Sequence, residues 1–485
     1  MKILVVSPTP SHPQNAGNRA RIYKLLLNLK EQGHEIHLLF DDREYSSDHV
    51  TSNSDIRAMA QTWHKVHFPR IFPAWPFSTL SATSPSPQKL HRIEKHFCFI
   101  ARTFKELYYF VQGNLWYLRK PFYFVRANAW RLRYGPGRIL KATFPSLYEI
   151  LHPKFRRIIN MKSKLVSKSR LEQNEFREGK RQSNGQPSEI DKWYNPQIDR
   201  TALHLHGKYK FDVVIAEYVF MSKALENFDN NVLKIIDTHD TFTDRSSKYE
   251  DLGITDNFFS TSAAEEAKGL NRADKIIAIQ NHENRFFRTL TDKEVVTIGH
   301  SVELSEPETR REIRKEILYI GTGNSANVQG INSFLEDTLP LIRSRVPEIR
   351  LTLAGHICEF VDNQVGVERL GEVRDIKQAY DKADVVINPA IVGTGLKIKN
   401  VEALGFGKIL ITNSHSAEEF DTERPPCLVA DSPEEFANKI VDVMSNLGLY
   451  NHLAMEAYKF AKRYNERQLD ATKHLLDSRK AEASQ

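Results

Sequence analysis

The chain has 485 residues, of which 40% are hydrophobic and 27% are charged, and it carries a formal net charge of +7 at pH 7. This composition is that of a folded protein and excludes a disordered chain. The length exceeds what one ordinary core accommodates, so we expect two domains of ~150–200 residues and an insertion. The three cysteines are widely spaced and form no Cys-x-x-Cys pair, which predicts a reducing compartment and no metal site.

No run of ~18 uncharged apolar residues occurs, so the sequence predicts no membrane span. Residues 1–6 are apolar, but Ser-Pro-Thr-Pro follows at once, which makes this stretch too short for a signal peptide. We therefore expect a cytoplasmic protein.

The N-terminal residues predict a strand, a helix and a second strand, at 2–7, 19–32 and 36–40. The loop after the first strand contains Gly17 but lacks the Gly-x-Gly-x-x-Gly pattern that dinucleotides require. A dehydrogenase is therefore disfavoured, although two aspartates follow the second strand.

Residues 69–200 interrupt the alternation of strands and helices. Between 91 and 170 there are 18 Lys or Arg residues but three acidic ones, and aromatic residues are interleaved among them. This composition fits a surface that docks on an anionic membrane. It also fits a helical insertion whose aromatics form its own core. A nucleic-acid surface is the least favoured interpretation, and we expect no nucleic-acid partner. Residues 163–195 turn polar and predict a flexible loop.

The regular pattern resumes with strands predicted at 211–218 and 232–236, and a polar stretch at 237–245 follows the second of them. Ligands bind beyond the carboxyl ends of parallel strands, which makes His239, Asp240 and Arg245 candidate site residues. An imidazole can donate and accept hydrogen bonds near neutral pH, so His239 is the candidate catalytic residue. A purely structural role for this histidine stays open. Residues 300–315 predict a linker.

The C-terminal half predicts a strand at 317–321, and its loop contains Gly321 and Gly323. A central strand is predicted at 384–388, followed by a turn with Gly393 and Gly395 and a helix from Leu396. Such a strand, glycine turn and helix present unpaired N–H groups where anions bind.

Lys397 and Lys399 lie in the first turn of this helix, where cations oppose the helix dipole, and a bound diphosphate would explain them. Glu402 lies roughly 9–10 Å further along the axis than Gly395, at ~1.5 Å per residue. That is about the separation of a pyrophosphate from the ribose of the same nucleotide. An ordinary strand–helix unit with solvated lysines is the alternative.

The stretch from Gly393 to Glu402, Gly-Thr-Gly-Leu-Lys-Ile-Lys-Asn-Val-Glu, resembles the nucleotide-sugar motif of glycosyltransferase family 4, a retaining family with the GT-B fold. The resemblance implies that Glu402 holds the ribose. An earlier glutamate of the motif usually contacts the donor sugar, and Thr394 stands in its place here. The implied nucleotide-sugar-binding residues of this stretch are Gly393, Thr394, Gly395, Leu396, Lys397, Lys399 and Glu402.

Three further stretches, which begin at Glu217, Asp237 and Ala273, resemble a series found in a bacterial subgroup of the same family. The resemblance implies that His239 lies near the reacting sugar. It also implies roles for residues that face the donor phosphates or the base: Gly17, Gly321 and Gly323, more weakly Arg19 and Arg21, and for the base Glu372 and Val373.

The chain departs from the family pattern a second time, at the basic residues that bind the diphosphate. Many family members carry an Arg and a Lys where this chain has Thr322 and Gln329, and we expect Lys397 and Lys399 to compensate.

The implied architecture is α/β: a GT-B protein with two Rossmann-like, doubly wound parallel-sheet domains that face a cleft. Its parts are an acceptor-side domain at 1–300 with the insertion at about 69–200, a nucleotide-sugar domain at 316–450, and a helix at 451–485 that returns to the first domain.

The implied function is transfer of a sugar from a nucleoside-diphosphate sugar, with retention, in a hexosyltransferase-type reaction. The expected acceptor is a glycan or lipid-linked glycan of lipopolysaccharide, capsule or exopolysaccharide synthesis. No metal or cofactor is expected, and residues 91–170 are the candidate contact with an anionic membrane. A nucleotide-sugar 2-epimerase and a non-catalytic scaffold of a polysaccharide assembly complex stay as alternatives.

Overall fold

The computed structural model describes residues 1–41, 53–69, 187–251, 253, 258–373, 375–390, 395–420 and 426–477. The basic and aromatic segment 91–170, with its predicted membrane contact, lies outside these residues. Gly393 and Thr394 also lie outside them.

The N-terminal domain is built on a parallel sheet of seven strands. Their bounds are β1 (Lys2–Ser7), β2 (Glu35–Phe40), β3 (Lys65–His67), β4 (Val213–Glu217), β5 (Leu233–Asp237), β6 (Lys275–Ala278) and β7 (Glu294–Thr297). The strand order is β3-β2-β1-β4-β5-β6-β7. β1, β4 and β5 are almost wholly buried because helices cover both faces of the sheet.

Alternate residues of β1 point into two separate cores, as the two-residue period of a strand requires. Leu4 and Val6 pack into one core, and Ile3 and Val5 into the other. The helices of this domain are Gly17–Glu31, Asn53–Thr62, Gln197–Tyr209, Arg245–Glu250, Ala263–Leu270 and Asn281–Phe287. The helix predicted after β4 is instead a 3-10 segment, Val219–Asn227.

The C-terminal domain repeats this plan with six parallel strands. They are β8 (Glu316–Ile320), β9 (Arg350–Ala354), β10 (Val367–Arg369), β11 (Val385–Asn388), β12 (Ile409–Thr412) and β13 (Leu428–Val429), in the order β10-β9-β8-β11-β12-β13. Its helices are Ser325–Ser333, Leu339–Arg343, Lys377–Lys382, Ile398–Gly405, Ser414–Ala417, Pro433–Ser445 and Leu447–Leu475. The two parallel-sheet domains predicted from the sequence are confirmed.

The last helix, Leu447–Leu475, is bonded to the segment that joins the two domains. Gln468 Oε1 accepts the N–H of Gly299 at 2.5 Å, and Tyr464 Oη accepts that of His300 at 3.1 Å. Asn465 bonds both the N–H and the C=O of Val302. Leu475, at the helix end, packs in the core of the N-terminal domain.

Two local predictions are corrected by the structure. Residues 187–195 are not a flexible loop throughout, because Ile190, Trp193 and Tyr194 are buried in the N-terminal core. The helix predicted from Leu396 begins at Ile398. Among the described helices, none is both long and apolar enough to cross a bilayer.

Candidate active site

Both sheets reverse their strand order at one point, between β1 and β4 in the first and between β8 and β11 in the second. Ligands of doubly wound sheets bind beyond the carboxyl ends of the strands at such points. The loops at these two points meet each other. A Cβ built on Gly17 would lie 3.4 Å from Ile398 Cδ1, and one built on Gly395 would lie 3.1 Å from the carbonyl oxygen of His239.

Two helices begin at this meeting point, Gly17–Glu31 and Ile398–Gly405. Neither has a side-chain cap or an acidic residue in its first turn. Among the described helices, Gln197–Tyr209, Asn281–Phe287 and Lys377–Lys382 also lack a side-chain cap. Five other starts have one, in which the side chain of the N-cap residue accepts a backbone N–H; these residues are Ser262, Asn324, Asn413, Ser432 and Asn446. The two uncapped starts at the meeting point therefore leave backbone N–H groups and positive dipole ends that suit an anion.

Lys399 places its ammonium group beside the loop that follows β8. Its Nζ lies 3.0 Å from Asn327 Oδ1 and 4.6 Å from the centre of the Tyr319 ring. Asn327 in turn donates to the carbonyl oxygen of Thr322 at 3.1 Å. Lys399 therefore lies beside the loop that contains Thr322. Thr322 occupies one of the positions at which many members of the resembled family carry a basic residue. Lys397 occupies the N-cap position of the Ile398–Gly405 helix.

Glu402 lies in the same helix and is largely buried, with 17% of its side chain exposed. Its Oε2 accepts from the Tyr380 hydroxyl at 3.4 Å. Burial raises the pKa of Glu402 to about 7, although the Tyr380 hydrogen bond and the charge of Lys24 act in the opposite direction. The other oxygen, Oε1, faces Nε2 of His300 at 4.0 Å, which is too long for a hydrogen bond.

His300 comes from the segment after β7, so the Glu402 carboxylate faces both domains. Burial, together with the positive charges of Arg21 and Lys24, lowers the pKa of His300 well below its ordinary value. Its Nδ1 is buried and has no hydrogen-bond partner among the described residues. Glu402 therefore faces a neutral imidazole.

Two carboxylates lie side by side at the carboxyl edge of the N-terminal sheet, because Glu217 and Asp237 are the last residues of β4 and β5 and are paired in register. Asp237 accepts two hydrogen bonds from Arg21, at 3.0 and 3.1 Å, and Arg21 also donates to the carbonyl oxygen of Gly299. Arg21 is 2% exposed. The prediction that Arg21 faces donor phosphates is therefore wrong, since its guanidinium is already bound inside the domain.

His239 follows β5 by two residues and lies against Glu217. Its Nε2 is 2.7 Å from Glu217 Oε2 and 3.6 Å from Asp237 Oδ2. The imidazole stacks on the Tyr218 ring, with centroids 4.1 Å apart and planes within 10°. His239 and Tyr218 both have positive φ, 62° and 71°, a conformation that costs energy in non-glycine residues and is found at functional sites.

Glu217 is completely buried, and its Oε1 has no hydrogen-bond partner in the described part of the chain. Burial and the neighbouring Asp237 charge raise the pKa of Glu217 to about 7. Glu217, Asp237 and His239 are the one set of three potential metal-binding side chains within 4.8 Å of one another in the described ranges. Arg21 already supplies a positive charge to this set.

Asp240 and Arg245 form a second pair at the cleft. Arg245 Nη1 donates to Asp240 Oδ2 at 2.6 Å, and the guanidinium lies over the rings of Tyr249 and Phe258. A Cβ on Gly395 would lie 3.4 Å from the Asp240 carboxylate. The structure thus brings these two predicted residues to the same glycine turn as His239.

The remaining predicted residues lie around the same edge. Asn15 Nδ2 donates to Glu372 Oε2 at 3.4 Å, and Asn15 Oδ1 accepts from Arg19, so the loop before the first helix contacts the loop after β10. The carbonyl oxygen of Gly321 accepts the N–H of Ile357 at 3.1 Å. Gly323 lies under the Phe360 ring, which leaves no room for a side chain there. Val373 packs beside the core formed around Val401 and Leu404.

The sequence interpretation missed two residues of this site, His300 and Tyr380, and gave Glu217 no role of its own. A signal existed for Glu217, because a charged residue that ends a buried strand lies at the ligand edge of a parallel sheet. His300 had no local signal, since its neighbour Glu402 is distant in sequence.

Comparison with solved structures identifies the fold. The chain aligns over its whole length with sucrose-phosphate synthase from Thermosynechococcus elongatus, with a TM-score of 0.55, 12% identity and 100% of both chains covered. It aligns equally well with Anabaena HepE in complex with UDP and glucose, with a TM-score of 0.53, 11% identity, and 99% and 100% of the two chains covered. The chain has the GT-B fold.

Sequence comparison adds a match within the C-terminal half of this GT-B protein. Residues 314–446 match the family model described as Glycosyl transferases group 1. A 44.6 kDa uncharacterized protein in the cps region of Klebsiella pneumoniae is 25% identical over 147 residues. That alignment covers 28% of this chain and 38% of the relative's length. The family-model match, residues 314–446, contains Lys399 and Glu402.

Proposed function

We propose that this GT-B protein is a retaining glycosyltransferase of family 4 that transfers a sugar from a nucleoside-diphosphate sugar. The observation that carries the proposal is the Ile398–Gly405 helix. Its uncapped start faces the cleft with Lys397 and Lys399 around it, and the buried Glu402 carboxylate lies further along the same helix. An anion site and a hydroxyl acceptor on one helix match the two ends of a nucleotide diphosphate. The group 1 glycosyltransferase match over residues 314–446 supports this assignment.

In this proposal the diphosphate rests against the N–H groups at the helix start, and Glu402 accepts hydrogen bonds from the ribose hydroxyls. The bond between the anomeric carbon and the phosphate oxygen breaks, and negative charge develops on the diphosphate. The N–H groups and the lysine ammonium groups stabilise that charge. The acceptor hydroxyl attacks from the face that the diphosphate leaves, and a diphosphate oxygen takes its proton. His239 contacts the donor from the opposite domain.

A thermal-shift screen with UDP, GDP, ADP and CMP sugars tests whether the protein binds a nucleotide-sugar donor, and we expect one of these sugars to raise its melting temperature. Sugar transfer with retention is tested by turnover of that donor, with the anomeric configuration of the product followed by NMR. Retention supports the proposal, whereas inversion would contradict it. If the product is an isomerised nucleotide sugar, the protein is a 2-epimerase instead. If the donor binds but is not turned over, the protein is a scaffold.

We further propose that the acceptor is a lipid-linked glycan of surface-polysaccharide synthesis and that the protein acts at the cytoplasmic face of a membrane. The charge of residues 91–170 supports this, with 18 basic residues against three acidic ones. The relative in a cps region is consistent with it. Flotation with anionic liposomes at low and high salt tests the membrane contact. Absence of binding at low salt would remove the reason for proposing a lipid carrier.

A further inference from the structure

We propose that Glu217 is a positioning residue that shares one proton with His239 and thereby keeps an N–H at Nδ1 of the imidazole, directed at the bound donor. The proposal rests on the proposed function, because it assigns a task to His239 within the donor site. It gives this task to a residue that contacts no ligand itself.

The geometry fixes which nitrogen of His239 is available to a ligand. Nε2 is taken by Glu217 Oε2 at 2.7 Å. One face of the ring is covered by Tyr218 at 4.1 Å, and the backbone carbonyl of His239 abuts Gly395 of the other domain. Within the described part of the chain, Nδ1 has no hydrogen-bond partner. Nδ1 is therefore the nitrogen that a donor molecule can contact.

The number of protons on the pair decides whether Nδ1 donates or accepts. With Glu217 ionised and the imidazole neutral, the ring proton lies on Nε2, and Nδ1 is a bare acceptor. One added proton gives either the neutral acid with Nδ1–H imidazole or the carboxylate with imidazolium. Nδ1 carries a hydrogen in both forms. Uptake of a single proton thus converts Nδ1 from an acceptor into a donor, whichever of the two residues holds that proton.

The charges around the pair favour this added proton. Asp237 adds a second negative charge 3.6 Å from Nε2, and it is neutralised by the two hydrogen bonds from Arg21. An ionised Glu217 beside a neutral imidazole would then be an uncompensated buried charge, which is costly. The groups that face the Glu217–His239 pair are Asp237 from β5, Arg21 from the first helix and Tyr218, the residue after β4. The other domain presents the backbone of Gly395. The raised pKa of Glu217, about 7, agrees with this balance.

An N–H group at Nδ1 serves the proposed reaction because the leaving diphosphate gains negative charge, which a hydrogen bond from this group stabilises. His239 donates a hydrogen bond to an oxygen of the donor, and no proton is transferred. When the pair loses its proton, Nδ1 presents a lone pair to the same oxygen, and the interaction becomes repulsive. We therefore expect kcat to fall as the pH rises through about 7.

The test compares pH profiles of kcat for the wild type with those of Glu217→Gln and Glu217→Met. The wild type is expected to show a basic limb near pH 7. The amide of Glu217→Gln does not titrate in this range and has no negative charge to favour an imidazolium, so the limb should disappear or move to lower pH by at least about one pH unit. Glu217→Met leaves the imidazole unanchored and should lower kcat by about tenfold or more, whereas complete loss of one transition-state hydrogen-bond donor costs about 100- to 1000-fold. The donor KM should change far less.

Glu266→Gln is the matched control, because Glu266 is also a fully buried carboxylate but bonds the backbone N–H groups of Phe242 and Thr243. It should lower the melting temperature and leave the pH profile of kcat in place. A wild-type profile in both Glu217 variants would overturn the proposal. So would an altered profile in Glu266→Gln that matches theirs.

A second measurement does not require turnover. In protein labelled with ¹⁵N-histidine, the His239 resonances are assigned by comparison with His239→Ala. We expect a protonated Nδ1 at pH 6 that loses its hydrogen as the pH rises, and a different titration in Glu217→Gln. A bare Nδ1 at pH 6 would overturn the proposal. If the protein transfers no sugar, the proposed function fails, yet this spectrum still decides whether the pair shares a proton.

Discussion

Glu402 is the residue on which the proposed donor site depends most. Its carboxylate is held away from bulk water between the Tyr380 hydroxyl and the neutral His300 imidazole, and neither neighbour neutralises it. Such a group gains hydrogen bonds when ribose hydroxyls arrive. The proposed function thus gives a reason for a buried carboxylate at a position where an apolar side chain would pack more favourably.

Replacement of Glu402 should weaken nucleotide binding. Hydrogen bonds to a charged group contribute about 1.5–3 kcal/mol each, so Glu402→Ala should lower the affinity for the nucleoside diphosphate by about tenfold or more. Glu402→Gln should have a smaller effect, because its amide oxygen still accepts. Isothermal titration calorimetry measures both. Glu466→Gln, an exposed change on the last helix, is the control and should bind as the wild type does.

The raised pKa of Glu402 also makes the stability of the free protein depend on pH. In the folded protein the pKa is about 7, against an ordinary value of 4.5, so between these pH values the folded state binds more protons than the unfolded state. The free energy of unfolding should therefore fall as the pH rises from 4.5 through 7. Glu402→Gln removes this contribution and should be more stable than the wild type at pH 8, by at most about 3.5 kcal/mol at 1.4 kcal/mol per pH unit.

Urea unfolding at pH 5 and pH 8 checks this expectation. The stability difference between Glu402→Gln and the wild type should be larger at pH 8. An equal difference at both pH values would show that Glu402 is ionised in the free protein.

We expect Lys397 and Lys399 to make separable contributions to diphosphate binding. Lys399 is bonded to Asn327 and lies over Tyr319, whereas Lys397 occupies the N-cap position. We expect Lys397→Ala and Lys399→Ala each to lower the affinity for a nucleoside diphosphate by about tenfold, a loss of about 1.4 kcal/mol, and to affect the monophosphate less. Lys462→Ala, at an exposed position of the last helix, should change neither affinity. Unchanged diphosphate affinity in both variants would contradict compensation for Thr322 and Gln329.

At the scale of elements, the last helix fixes the segment between the domains through Tyr464, Asn465 and Gln468. Gln468→Leu leaves the buried N–H of Gly299 without its acceptor, which should cost about 1–3 kcal/mol of stability. Urea unfolding measures the loss, with the exposed Glu466→Ala on the same helix as control. A variant as stable as the wild type would show that this contact does not hold the segment.

Some elements were predictable from local sequence and others were not. β1 and β11 are continuous apolar runs, and Ser432 caps its helix through the N–H of Glu435 as its Ser-Pro-Glu-Glu signature predicts. Residues 187–195 look polar but contribute Trp193 to a core assembled from distant strands. Arg21 had the charge of a ligand-binding residue, yet its partner Asp237 is 216 residues away. Contacts of this kind leave no local pattern.

At the scale of the whole molecule, the repeated strand–helix pattern predicted two parallel sheets, and the strand orders place a reversal point in each. The glycine turns of Gly17 and Gly395 could be recognised in the sequence. Their contact with Ile398 and His239 could not, because it depends on how two separately folded sheets meet. The proposed donor site therefore belongs to the assembled protein, although the helix that carries Glu402 lies in one domain.

The most direct test is a crystal structure of the protein with the nucleoside diphosphate that gives the largest thermal shift. We predict that the diphosphate lies at the start of the Ile398–Gly405 helix and that the ribose hydroxyls lie within hydrogen-bond distance of Glu402. Occupation of that place by packed side chains, with the nucleotide bound elsewhere, would contradict it.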